Sequence, residues 1–219
     1  MLLSLNNWLQ TYRLFIEMEI SDLKEYVQTL ENFLSAEMKR LDGESEVRAS
    51  EMPKDQRMDF YDSVSDDHYR LAETFPNILR HSLFAHSYSL LEYILLEIAE
   101  HFQKSQKLDL SPSDLRDEGI RRAQSYLKKV VRVSFPDSGT IWQEISTLGY
   151  IRNLVVHNQG YLTEDNPRKD QIHALIAKWS SDLSLKKNKF IFSATFIKRV
   201  VLTFETFLND LFKNIKEPS

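Results

Sequence analysis

The stretch from Asn77 to Phe102, "NILRHSLFAHSYSLLEYILLEIAEHF", is apolar on most sides of a helix drawn through it. A surface helix keeps a polar face, whereas one apolar nearly all round belongs in the middle of a fold. The stretch therefore predicts a central helix. It lies in a helical region from about Asp55 to Lys104, which Pro76 interrupts. Proline has no N–H and disfavours helix at the residue before it, so a kink or break is expected near Thr74–Phe75.

On the N-terminal side, residues 4–42 predict one long helix. Leu9, Tyr12, Ile16, Ile20, Leu23, Val27, Leu30, Leu34, Met38 and Leu41 recur at intervals of three and four. They form one stripe on a helix roughly 50 Å long at about 1.5 Å per residue. Trp8, Phe15, Tyr26 and Phe33 widen the stripe, which favours a packing face over a coiled-coil seam. "GESEVRASEMPK", residues 43–54, is polar and without period, and reads as a loop or link.

On the C-terminal side, Ser113 is the expected N-cap of a third helix, about Asp114 to Val131. "SFPDSGT" is a loop, and a fourth helix runs from about Thr140 to Asn158. Pro167 suits the first turn of a helix over about 168–179. "LSLKKNKFIF" alternates around Lys187-Asn188 and predicts a β-hairpin. Ser193 can cap a final helix from about Ala194 to Ile215. The expected fold is all-α: a helical bundle with a long N-terminal helix and one small β-hairpin before the C-terminal helix. Residues 1–54 form the helix and linker, and 55–219 the bundle, as two units or one continuous domain.

The chain has 219 residues with 5 glycines, 6 prolines and no cysteine, which fits a mostly helical chain and excludes disulfides and cysteine-based zinc sites. Its first residues carry no secretory signature, and no apolar run is long enough to span a membrane. A cytoplasmic setting without membrane contact is expected. Net charge is −4, divided into −8 over residues 1–75 and +4 over 76–219. Acids such as Glu17, Glu25 and Glu31 on the long helix are expected to face solvent; either the helix only buries its apolar stripe, or these acids also repel phosphate from a nearby cleft.

The candidate site is "IRNLVVHNQG", Ile151 to Gly160. Gly160 reads as a helix stop, and Leu154, Val155 and Val156 read as buried. Arg152, Asn153 and His157 interrupt this apolar context. Asn153 and His157 are four apart and share a helix face, so Asn153 can hydrogen-bond the imidazole and fix its tautomer. Arg152 is turned about 100° away. One helix does not aim Arg152 and His157 at a single point, but a two-fold axis could bring two copies together.

These residues resemble the Arg-(four to six residues)-His motif of HEPN domains, small helical proteins that are often RNases of toxin–antitoxin and antiviral systems. The context is similar too: the upstream "YSLLEYILLE" helix, and the hairpin and last helix downstream, over about residues 76–215. The pattern occurs three times, as Arg80/His86, Arg152/His157 and Arg168/His173, and only Arg152 is followed by a small polar residue. The resemblance implies a homodimeric, metal-independent endoribonuclease that uses no cofactor. The RNA 2′-OH attacks the adjacent phosphate, giving a 2′,3′-cyclic phosphate and a 5′-OH. His157 transfers the proton, Arg152 stabilises the transition-state charge, and Asn153 orients His157 or contacts phosphate. An antitoxin or defence-system partner protein would accompany such a role. The position two after His157, where some family toxins carry a modifiable tyrosine, is Gln159. Some relatives have lost catalysis and act as interaction modules. That is the alternative function here; a purely structural reading is that Asn153 and His157 cap carbonyls at the helix end and Arg152 pairs with a carboxylate such as Glu92.

Arg121, Lys128 and Arg132, with Arg122 and Lys129 alongside, form the strongest basic stripe and are candidates for holding RNA phosphates. A solvated face explains them equally well. No histidine, aspartate and glutamate spacing matches a zinc motif, so no metal is expected.

Overall fold

The computed structural model describes residues 5–215. The chain runs α1 (Leu5–Glu51), α2 (Arg57–Tyr69), α3 (Phe75–Gln106), α4 (Gly119–Ser125), α5 (Thr140–His157), α6 (Lys169–Lys178), β1 (Leu183–Lys186), β2 (Lys189–Phe192) and α7 (Phe196–Asn214). The fold is all-α with one small hairpin, as the sequence leads one to expect. The central helix is α3, which packs against α1, α4, α5, α7 and β2. Its Phe84, Leu91, Ile94, Leu95, Ile98, Ala99 and Phe102 are at most 2% exposed.

At Pro76 the helix does not break. A π-helical turn, Arg70–Thr74, carries α2 into α3, and the Phe75 N–H bonds to the Arg70 carbonyl. Widening the turn by one residue absorbs the hydrogen bond that proline cannot make.

The N-terminal helix is longer than expected. It continues through the supposed loop to Glu51, about 70 Å at 1.5 Å per residue. Ser45 and Ala49 are buried and continue the stripe of Leu34, Met38 and Leu41. These small residues admit α2 closely. His68 on α2 lies 3.2 Å from Asp42, and its other ring nitrogen 3.5 Å from the Ser45 hydroxyl. The buried stripe is also narrower than expected, because Phe15, Tyr26 and Phe33 are about half exposed at 46%, 56% and 60%. Trp8 does pack, stacking on His101 with ring centroids 3.6 Å apart. Ile16, Ile20, Leu23 and Val27 belong to the same apolar core as α3, α5 and α7.

Glu31 is not solvent-facing. Arg80 grips it through Nε and Nη2, each at 2.7 Å, and its Nη1 donates to the Phe192 carbonyl at 2.9 Å. One guanidinium thus ties α1, α3 and β2 together. Glu17 pairs with Arg13 one turn away, and Glu25 is exposed.

The third helix starts later than expected. Pro112 makes Ser111, not Ser113, the cap of a single 3-10 turn, with reciprocal bonds between Ser111 and Asp114. The chain then bends at Leu115 and Arg116, α4 begins only at Gly119, and a π turn over Tyr126–Val130 ends it.

The hairpin follows the expected alternation. Leu183 pairs with Phe192 and Leu185 with Phe190. Lys187 (φ 51°) and Asn188 (φ 62°) both adopt the left-handed conformation that a two-residue hairpin turn requires.

Asp182 anchors the hairpin to α7. It accepts hydrogen bonds from Ser181, Ser193, Thr195 and Arg199. Burial works to raise its pKa, but these donors outweigh it and hold the carboxyl at about 2, against an ordinary 3.8. A depressed folded-state pKa contributes stability that is complete above the unfolded value and is lost as pH falls through the folded one. Thermal melts should therefore show the wild type losing about 2 kcal/mol between about pH 4 and pH 2 through this group. Asp182→Asn should lose that share of stability at neutral pH and show a flatter profile. An unchanged acid limb in the variant would contradict the assignment.

Among the described residues, no helix is long and apolar enough to cross a membrane.

Candidate active site

The candidate site sits on the last two turns of α5. Trp142, Ile145, Leu148 and Ile151 bury the inner face of this helix, the last three completely. Gly149 lets α5 approach α3, because a Cβ there would lie 2.3 Å from the Tyr88 hydroxyl. That hydroxyl donates to the Ile145 carbonyl at 3.3 Å, and burial raises its pKa, which keeps the phenol neutral.

Helix α5 ends as its sequence indicates. The Gly160 N–H bonds back to the Leu154 carbonyl at 2.9 Å, and Gln159 (φ 52°) and Gly160 (φ 79°) are left-handed. Gly160 is also required sterically, since a Cβ would meet the His81 ring at 2.8 Å. Burial pushes the His81 imidazole below its ordinary pKa, and its Nε2–H donates to the Phe190 carbonyl at 3.0 Å. The Phe190 N–H bonds to the Gly160 carbonyl, and the Leu162 N–H to the Asn188 carbonyl. The hairpin therefore fixes the chain just beyond His157.

The apolar run is not buried as expected. Leu154 and Val155 are half-buried, and Val156 is 49% exposed. Three consecutive helical residues sweep about 200°, more than one core-facing stripe can cover.

Arg152 turns toward α3. Its Nη2 donates to the Ser89 hydroxyl at 3.3 Å and lies 3.8 Å from Glu92, and its Nη1 donates to the Asn153 side-chain carbonyl at 3.1 Å. Its Nε is buried without a hydrogen-bond partner. His157 is exposed, and no hydrogen bond holds it among the described residues. The expected Asn153–His157 bond is not formed, because the Asn153 oxygen faces Arg152 instead. Within one chain the guanidinium is braced and the imidazole free.

The other two Arg…His pairs have different fates. Arg80 is the structural clamp described above, and Arg168 is exposed with its guanidinium over the Tyr150 ring at 4.9 Å.

The five basic residues do not make one stripe. Arg121 donates to the Tyr150 hydroxyl, and Arg122 to the Asp117 carbonyl at 2.7 Å. Lys128 pairs with Asp137 at 2.6 Å. Lys129 is exposed. Arg132 takes the left-handed conformation (φ 66°) that ends the helix. The π turn shifts the register between Arg121 and Lys128, and the reversal at Arg132 ends the face.

Sequence reasoning missed Ser89 and Tyr150. Tyr150 had a signal, since it lies seven residues before His157 and so on the same helix face. Among the described residues, no group of three or more histidine, aspartate or glutamate side chains could hold a metal ion.

No protein-family profile, curated protein or solved structure matches the chain.

Proposed function

We propose that this protein is a metal-independent endoribonuclease of the HEPN type, acting as a toxin or antiviral defence effector. The observation that carries the proposal is at the end of α5: a free, solvent-facing His157 and, five residues before it on the same helix, a braced Arg152. The 2′-oxygen of RNA forms a bond to phosphorus, and the bond from phosphorus to the 5′-oxygen breaks. A proton leaves the 2′-hydroxyl and another reaches the 5′-oxygen. His157 transfers one of these. Arg152 supplies positive charge that stabilises the pentacoordinate phosphate. The nucleophile belongs to the substrate, so the step needs only acid–base and electrostatic catalysis.

A second copy of the chain completes the site in this proposal. An outward line on α3 runs Ile78, Ser82, Ala85, Ser89 and Tyr93, with Ile78 61% and Tyr93 52% exposed. Small residues at its middle allow two copies of α3 to approach closely, and Ser89 contacts Arg152. Ala85→Arg should therefore give a folded monomer with cleavage reduced at least about a hundredfold, the order of a lost catalytic group. A dimeric Ala85→Arg protein in sedimentation, or a monomer of full activity, would contradict this.

One observation favours the non-catalytic alternative: the Arg152 guanidinium is already engaged by Asn153 and Ser89 and lies 3.8 Å from Glu92. The deciding experiment is RNA cleavage by the purified protein in EDTA, comparing wild type with His157→Ala. Cleavage by wild type alone supports the enzyme, and cleavage by neither supports the module.

A further inference from the structure

Residues Gln143, Ser146, Tyr150, Asn153 and His157 recur at intervals of three and four, and so form one line along α5. The first half of the line, Gln143, Ser146 and Tyr150, borders a cleft of about 520 Å³ between α5, α6 and Arg121 of α4. Two guanidinium groups address one half-buried ring there. Arg168 lies 4.9 Å and Arg121 5.7 Å from the Tyr150 centroid, and Arg121 also donates to the Tyr150 hydroxyl. No carboxylate pairs with either arginine among the described residues. A third cation lining the cleft, Lys178, is paired with Glu144. The lining therefore carries two uncompensated positive charges in a chain whose net charge is −4.

We propose that this cleft binds a nucleotide of single-stranded RNA a few residues along the strand from the bond cut at His157, a proposal that rests on the ribonuclease assignment. Guanidinium groups pair with phosphate through a planar fork and stack on base faces, and the Arg121–Tyr150–Arg168 group presents both surfaces. Tyr150 lies two turns before His157, about 10 Å along the axis, a gap that a short length of extended strand bridges. A duplex does not fit this chemistry, because its base faces are stacked inside the helix and its exposed edges give the guanidinium planes nothing to stack on.

The test uses the full chain carrying His157→Ala, so that RNA stays intact, and fluorescence anisotropy of a labelled single-stranded RNA oligonucleotide. Arg168→Ala and Arg121→Ala should each raise Kd about tenfold and reduce the slope of log affinity against log salt by about one. Tyr150→Leu should weaken binding with little change in salt slope, because it removes the platform rather than a charge. Lys39→Ala, on the distal half of α1, should leave Kd unchanged. Melting curves identify any variant that fails to fold, and Arg168→Lys, which keeps the charge, should restore the salt slope without full affinity. Cleft variants that bind as the parent does would overturn the subsite, as would no RNA binding by the parent or equal competition by a duplex of the same sequence. The ribonuclease assignment is read separately, from cleavage by wild type in EDTA, and can stand or fall independently of the cleft.

Discussion

His157→Ala should lower RNA cleavage by about 10² to 10⁴-fold, the usual contribution of a positioned proton-transfer group. The side chain is exposed and makes no hydrogen bond among the described residues. Its removal should cost the fold under about 0.5 kcal/mol. Loss of activity without loss of stability is the signature of a residue kept for chemistry. Arg152→Ala should reduce cleavage by about 10² to 10³-fold, the scale of one lost transition-state donor. It should also destabilise modestly, since Ser89, Asn153 and Glu92 each lose a contact. Arg152→Lys keeps the charge but not the fork, so it should recover stability better than rate. Near wild-type turnover by His157→Ala, measured on a gel-resolved RNA under single-turnover conditions, would reject the assignment.

Breaking the Arg80–Glu31 clamp should give the largest stability loss of any polar substitution considered. The pair is bidentate, with side chains only 17% and 11% exposed, and Arg80 also satisfies the Phe192 carbonyl. Removing one partner strands a charge that solvent reaches poorly. Glu31→Ala or Arg80→Ala should each cost about 3 kcal/mol. For a chain of this length that lowers Tm by roughly 6–12 °C. Replacing both with leucine should cost less than either single change, since no charge is then stranded. A single variant that melts within about 2 °C of wild type would show the clamp to be dispensable.

Charge alone does not reveal this clamp. In the sequence Arg80 belongs to an Arg…His pattern on an apolar helix, and Glu31 to an acidic surface. Only tertiary packing brings residues so far apart in sequence into contact. Local features are legible where local physics decides them. The hairpin needed two adjacent left-handed residues; Asn188 between alternating apolar pairs announces one of them, and Lys187 gives no such signal. The end of α5 was written in Gly160, which alone meets both a positive φ and the His81 ring. The last turns of α1 were hidden because Ser45 and Ala49 keep the helical period but not the hydrophobicity that makes a period visible. The site was half legible. Arg152, Asn153 and His157 stand on α5 as expected, but a choice of hydrogen-bond partner, Asn153 to Arg152 rather than to His157, depends on side-chain rotamers and not on spacing. The cleft beside Tyr150 was not legible, because Arg121 and Arg168 come from α4 and from the segment before α6.

In the proposed mechanism, His157 and Arg152 drive attack by a 2′-hydroxyl on its own phosphate. The measurement that tests it most directly is end-group analysis of products from a defined RNA oligonucleotide cut in EDTA, beside the same oligonucleotide with a single 2′-deoxy residue at the cleaved position. The expected products are a 2′,3′-cyclic phosphate and a 5′-hydroxyl from the first, with no cleavage at that position in the second. Cleavage of the deoxy-substituted strand at the same bond, or products ending in a 5′-phosphate, would contradict it.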